Sequence, residues 1–223
     1  RFHDLRHTWA TRQIEKGMPV AHVQYLGGWS SPKMMQQYLS ISPENLSNLE
    51  PNDYIFFSDP DEIPDPKIFK NFELKKKYGI FLQKCYNYKF NLYNPYESPW
   101  EGTRVCRKKN LKSIEFMRQK VKSKNLNYKF YRLDKEKNIE LFTDGGWHFN
   151  NIMSPELISL KLRTFAHSEF SEKKFSDVNI IKSKIENRID LFERGHNYRK
   201  VILDNTFPKY LIENYEKYKF YIL

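Results

Sequence analysis

Long apolar runs and paired cysteines are what this 223-residue chain lacks. No stretch approaches the roughly 18 apolar residues that a membrane helix needs, so no membrane segment is expected. Two cysteines, Cys85 and Cys106, are too few for a disulfide framework or a zinc knuckle. Internal repeats and low-complexity tracts are also missing. There is no initiating Met: Arg1 stands within what reads as a helix, so the chain is expected to be a fragment. A cytoplasmic location is the expectation, with a lost N-terminal signal still open. What is present is aromatic and basic. Phe 17, Tyr 15 and Trp 4 bring the aromatic share to 16%, enough to fill a core, which excludes wholesale disorder. The length suits one full domain or two small pieces.

The formal net charge of +11 is unevenly spread. Residues 1–48 hold five basic and three acidic side chains, whereas residues 103–137 hold thirteen and three, net +10. Such a stretch suits a phosphate-bearing partner, nucleic acid or nucleotide. The alternative is a solvated helix face, since Leu111, Ile114, Met117 and Val121 fall at helical spacing among the lysines. The second reading leads, because no aromatics interleave with the charges at 107–113 as a stacking platform requires.

The texture changes near residue 50, from His, Gln, Met and Gly to Lys, Asn, Phe, Tyr and Ile, with Glu50-Pro51-Asn52-Asp53 as a turn. Two domains are expected, 1–48 and 49–223. The first reads as helices over Asp4 to Lys16, Val20 to Leu26 and Pro32 to Leu39, punctuated by Gly17 and Gly27-Gly28. Its polar residues are His3-Asp4-Leu5-Arg6-His7-Thr8, then Leu26-Gly27-Gly28-Trp29-Ser30-Ser31, then Tyr38, nine residues after Trp29. This pattern resembles the C-terminal catalytic end of the tyrosine recombinases, the phage-integrase family. The resemblance implies that Arg6 holds a scissile phosphate, His3 assists proton transfer, Trp29 buttresses the phosphate and Tyr38 forms the phosphotyrosyl link to DNA. The family's upstream Arg and its hairpin Lys would lie before Arg1. A phosphate site without them has lost most of its transition-state stabilisation, so the segment is expected to be an inert helical stub.

In the second part, residues 54–59 read as a buried strand running into Asp59-Pro60-Asp61-Glu62-Ile63-Pro64. In extended chain, residues two apart share a side, so Asp59 and Asp61 are expected to aim two carboxylates at one point. Hard oxygen ligands at a strand end suit Mg2+ or Mn2+ carrying a diphosphate. An acidic turn after a strand is the plainer alternative.

Further motifs follow in order: Trp100-Glu101-Gly102-Thr103-Arg104, Asp144-Gly145-Gly146-Trp147-His148-Phe149, Lys161, and Phe165-Ala166-His167-Ser168-Glu169-Phe170. With the S-D-x-D-E-I-P segment they resemble glycosyltransferase family 17, the β-1,4-mannosyl-glycoprotein β-1,4-N-acetylglucosaminyltransferases and their relatives, from about Asn52 to the C-terminus. The resemblance implies an α/β fold, a truncated GT-A-like (Rossmann-like) domain preceded by the short all-α integrase remnant. It lacks roughly a hundred residues that form the first nucleotide-binding strands in that family. The implied activity is inverting transfer of a sugar, N-acetylglucosamine foremost, from a UDP-GlcNAc-type donor to a glycan acceptor. A metal on Asp59 and Asp61, completed by His148 or His167, would neutralise the departing diphosphate. Asp144, Glu169 and Glu62 are candidate bases for the acceptor hydroxyl, undecided among themselves. Trp100, Arg104 and Trp147 are candidate substrate contacts, with Trp147 equally readable as a core aromatic. His148 is preferred over His167 because Gly145 and Gly146 allow close backbone approach to a ligand. The alternatives are a DNA-breaking and rejoining recombinase, or a non-functional fusion of two gene fragments. Other segments read as scaffold: a half-buried strand from Phe81 to Tyr93, a β-pair of Tyr128 to Leu133 with Asn138 to Phe142, a helix from Ser154-Pro155-Glu156, and a helical stripe from Val178 to Phe192 after Ser176-Asp177.

Overall fold

The structure, a computed structural model, describes residues 48–164 and 173–223 together with Gln13, Met18, Pro19, His22, Val23 and Leu26. The chain divides into two compact units, Arg1–Asp53 and Tyr54–Leu223. In the first, Gln13, His22, Val23 and Leu26 are helical. The Pro19 carbonyl accepts from the backbone N–H groups of His22 and Val23 at 2.9 and 3.1 Å. The Glu50–Asp53 turn is closed twice: the Asp53 N–H donates to the Glu50 carbonyl at 3.0 Å, and the Asp53 carboxylate accepts from the Glu50 N–H at 2.8 Å.

The second unit is built on one eight-stranded sheet. Its strands are β1 (Tyr54–Phe57), β2 (Glu62–Pro64), β3 (Tyr78–Asn87), β4 (Leu92–Tyr93), β5 (Trp100–Arg107), β6 (Ile139–Phe142), β7 (Gly146–Asn150) and β8 (Arg199–Lys200). The ten-residue β3 is the axis. Its first half lies between antiparallel β5 and parallel β6, and its second half between antiparallel β4 and parallel β7. β2 adds to the far side of β7 with Glu62 opposite His148. The sheet is thus mixed and mainly antiparallel.

With neighbours on both edges and apolar layers on both faces, β3 is buried along nearly all its length. Ile80 and Tyr78 pack with Met117, Val121 and Ile139 on one side, and Phe81 packs with Leu74 and Val105 on the other. The half-buried alternation expected from Phe81 to Tyr93 is therefore corrected. The strand ends at Asn87, and Tyr88 turns the chain with φ +66°. β1 is likewise not a buried strand. It pairs only with β5 among the described residues, and Phe56 is exposed, as an edge position allows. Tyr128 to Leu133 forms successive turns and not a strand, so β6 has no such partner.

The helices follow their capping chemistry. α1 (Ile114–Gln119) is capped by Ser113, whose hydroxyl accepts from the Phe116 N–H, and it buries Met117. α2 (Pro155–Thr164) follows Ser154, with Pro155 at a position that needs no N–H. α3 (Lys173–Ser176) leads into α4 (Val178–Glu186), where the Asp177 carboxylate accepts from the N–H groups of Asn179 and Ile180. Ile181 and Ile185, four apart, face Ile158 and Leu162 of α2. Withdrawing each such side chain from water is worth about 1.5–3 kcal/mol. The expected stripe overshoots the helix, because Arg188 turns left-handed at φ +59° and Ile189 bridges Asn197. Two short helices, α5 (Lys209–Glu213) and α6 (Tyr215–Tyr218), close the cluster of Tyr86, Trp147, Phe149, Phe207 and Leu211.

Candidate functional site

The acidic motif is a turn, which corrects the expectation of extended chain. The Glu62 N–H donates to the Asp59 carbonyl at 2.9 Å, with Pro60 at the position after Asp59 that a β-turn favours. The two aspartates consequently diverge. Asp59 forms an ion pair with Arg118 of α1, and Asp61 faces the His148 Nε2 at 3.4 Å. Glu62 points inward. Its carboxylate accepts from the Trp100 indole N–H at 2.9 Å and from the Asp59 backbone N–H at 3.1 Å. The Trp100 ring stands edge-on to His148, centroids 4.4 Å apart. Ser58 donates to the Glu62 carbonyl and meets the Thr103 hydroxyl at 2.5 Å, which ties this turn to the W-x-G-T-R segment.

His148 is buried between β2 and β3, next to Cys85 in register, and its Nδ1 has no hydrogen-bond partner. Burial pushes the Cys85 thiol well up, and the Glu97 carboxylate pushes the same way, so it stays a neutral donor, 3.5 Å from the Asn87 Oδ1. Lys161 of α2 donates to the Asn151 Oδ1 at 2.7 Å. Burial lowers its ammonium below the usual lysine range, against the pull of Asp61. Burial pushes Asp61 up, but the hydrogen bond and charge of His148 and the charge of Lys161 more than offset this, leaving it below its ordinary 3.8. Glu62 goes the other way. Burial raises it above 4.5, only partly opposed by the bonds from Trp100 and Asp59.

Three motifs thus meet at one place: Asp61 and Glu62, then Trp100, then His148, with Lys161 acting on them through Asp61 and Asp59 contributing only its backbone N–H. Other expected site residues do not join. Trp147 is a core aromatic, packed with Tyr86 and Phe149 and donating its indole N–H to the Thr206 carbonyl at 3.2 Å. Arg104 is not a substrate contact. It is buried, and its guanidinium donates to the carbonyls of Val121 and Gly102 and to Glu101. Asp144 stands exposed at a left-handed turn, 3.8 Å from Lys84, away from the cluster. Gly145 and Gly146 serve strand packing and not a ligand. A Cβ at Gly145 would meet the Leu82 backbone nitrogen at 2.7 Å, and one at Gly146 the Ile63 carbonyl oxygen at 2.1 Å. His3, Arg6, Trp29, Tyr38, His167 and Glu169 lie outside the described residues. Residue-type patterns missed Arg118, Cys85 and Asn151. Only Arg118 carried a signal, as part of the basic stretch.

Among the described residues no group of three or more His, Cys, Asp or Glu side chains is placed to hold a metal ion. The donor set does not fit a resident Mn2+ or Mg2+. Asp59 is already matched by Arg118, and Asp61 by His148 and Lys161, so a hard dication would have to displace partners in place.

Comparison with known proteins bears on the other end of the chain. Residues 1–45 match the phage integrase family. A 47-residue stretch, 21% of this chain, is 45% identical to the integrase of Salmonella phage P22 and spans 12% of that protein. No solved structure matches the chain. No helix among the described residues is long and apolar enough to cross a membrane.

Proposed function

We propose two functions for two parts of the chain. The better supported concerns residues 1–45, which we read as the closing catalytic segment of an enzyme that breaks and rejoins DNA. The 45% identity to a phage integrase carries this reading. In it Arg6 binds the scissile phosphate and the Tyr38 hydroxyl attacks phosphorus. The tyrosyl oxygen bonds to phosphorus as the deoxyribose 5′-oxygen leaves and takes a proton, with His3 assisting. The chain spans a small part of that relative, so binding rather than turnover is the fitting readout. A salt-dependent shift of duplex DNA by the full chain, lost in Arg6→Ala, is the expected result. A shift unchanged by Arg6→Ala overturns it.

For Tyr54–Leu223 we read an inverting glycosyltransferase domain using a nucleotide-sugar donor of the UDP-GlcNAc type and a glycan acceptor. The meeting of Asp61, Glu62, Trp100 and His148, drawn from three separated motifs, carries it. The acceptor hydroxyl oxygen bonds to the anomeric carbon as the bond to the diphosphate breaks. Asp61, kept ionised by His148 and Lys161, takes the hydroxyl proton. Arg118 and Lys161 are the cations that offset the departing diphosphate. Glu62 has both oxygens engaged and is a positioning residue, and GT-A-like architecture remains the resemblance's implication. Calorimetry of the full chain with UDP-GlcNAc, with and without Mn2+, tests it. Binding weakened at least about tenfold by Lys161→Met, the loss of one charge-assisted contact, supports the reading. No binding of UDP or UDP-GlcNAc under either condition overturns it.

A further inference from the structure

The loop between Tyr128 and Lys137 presents the most exposed large apolar side chains described in the protein. Phe130 is 88% exposed and Leu133 is 92% exposed, with Tyr131 at 59% beside them. Scattered exposed apolar residues are ordinary, but three within four positions at the crest of one loop are not. The backbone holds them there. Arg132 N–H donates to the Lys129 carbonyl at 3.0 Å, Leu133 N–H to Tyr131 at 2.9 Å and Lys135 N–H to Arg132 at 3.2 Å, so successive tight turns project the side chains outward. Lys137 reinforces the loop by donating to the Lys129 carbonyl.

The crest is ringed by cations. Residues 124–137 hold five basic and two acidic side chains, net +3, and Asp134 sits between Arg132 at 2.7 Å and Lys135 at 3.1 Å, so the collar keeps a positive excess after that pairing. Arg132 and Lys135 lie over the Tyr128 ring at 5.4 and 5.5 Å, and Lys129 lies 5.9 Å from the Tyr131 centroid. An apolar tip with a basic collar matches an anionic lipid surface, where the tip enters the acyl boundary and the collar stays among headgroups. Single-stranded nucleic acid fits less well. Leu133, the most exposed of the set, has no π-face for stacking, and cations already lie over Tyr128.

We propose that the Tyr128–Lys137 loop docks the protein on a membrane surface bearing anionic lipid, with Phe130 and Leu133 inserted and Lys129, Arg132 and Lys135 at the headgroups. This is peripheral attachment by a loop, independent of either function proposed above. Co-sedimentation of the full chain with vesicles of phosphatidylcholine alone, and of phosphatidylcholine with phosphatidylglycerol, tests it. The chain is expected to partition onto the mixed vesicles and less onto the neutral ones. Phe130→Ser/Leu133→Ser should weaken that partitioning at least about tenfold, because the two apolar side chains, even when only partly inserted, together forfeit an order of magnitude or more. Lys129→Glu should lower the preference for phosphatidylglycerol. Both variants change exposed positions, and an unaltered thermal melt shows that the fold is kept. No partitioning by the unsubstituted chain overturns the proposal, as does partitioning undiminished in the double variant. Retention on a single-stranded oligonucleotide, lost in the double variant while vesicles are ignored, would reassign the loop to nucleic acid and overturn it equally.

Discussion

Asp190 and Glu62 are both buried acids, and they differ in what surrounds them. Asp190 is saturated by its own neighbourhood. One oxygen accepts from the Arg194 backbone N–H and Nε, the other from a second guanidinium nitrogen at 2.8 Å and from the Tyr198 hydroxyl at 3.0 Å. Arg194 continues to Glu97 at 2.7 Å. Glu62 has two donors, both neutral, and its register neighbour His148 keeps an unpartnered Nδ1. The consequences for ionisation are opposite. Burial raises Asp190, but its bonds from Arg194 and Tyr198 prevail and hold it below 3.8, whereas burial prevails at Glu62 and holds it above 4.5. A network that satisfies every lone pair fixes structure. A cluster that leaves polar capacity unspent in the interior is where a ligand finds something to do.

Removing the saturated acid is the harshest way to probe that contrast. Asp190→Ala leaves the Tyr198 hydroxyl buried without its acceptor and strips Arg194 of its bidentate partner. A loss of about 3 kcal/mol is expected in urea unfolding, the low end for breaking a buried pair because Arg194 is itself partly exposed and relaxes into water. The pH dependence carries the sign of a depressed carboxyl. The contribution is present above the unfolded value of 3.8 and disappears as pH falls through the lower folded value. A variant that unfolds like the parent would remove the distinction between the two acids.

Trp100→Phe tests the other side more gently. It takes away the indole donor that lowers Glu62 and leaves the ring, so Glu62 should rise further. A raised carboxyl costs stability as pH climbs from the unfolded 4.5 through the folded value, since the unfolded chain sheds its proton first. The variant is therefore expected to lose about 1–2 kcal/mol near pH 7 and distinctly less near pH 4, where Glu62 is protonated in both states. Equal losses at the two pH values would show that Trp100 acts only by packing.

How much of this was legible in the sequence depends on the range of the interaction concerned. Local chemistry reads well: Ser154 and Asp177 stand where the helices begin, and Ile181 and Ile185 fall on the buried face of α4. Long-range pairing does not. Nothing in Tyr128 to Leu133 says that β6 will pair with β3, and that segment instead forms an exposed crest. At the site, the motif residues were visible but their roles were not. Trp100 and Trp147 look equivalent in sequence, yet one reaches Glu62 and the other fills a core. Arg104 looks like a ligand contact and is a buried strut. The Asp59–Asp61 spacing argued for convergence only if the chain was extended, and Pro60 instead supplied a turn that sends the two carboxylates to Arg118 and His148.

The smallest expected effect is the sharpest test of which acids matter. Asp144 shares its motif with His148 and was as good a base candidate as Glu62 on sequence grounds. Its side chain is 84% exposed, 3.8 Å from a half-exposed Lys84, and its backbone sits at φ +50°, a conformation that Asn accepts as readily as Asp. Asp144→Asn should shift unfolding by no more than about 0.5 kcal/mol, and it should leave UDP-GlcNAc binding unchanged in the calorimeter. A tenfold loss of donor affinity in this variant would mean that the turn after β6 closes onto the cluster when ligand arrives. The contrast drawn from Asp190 and Glu62 would then have to include an acid that burial does not mark.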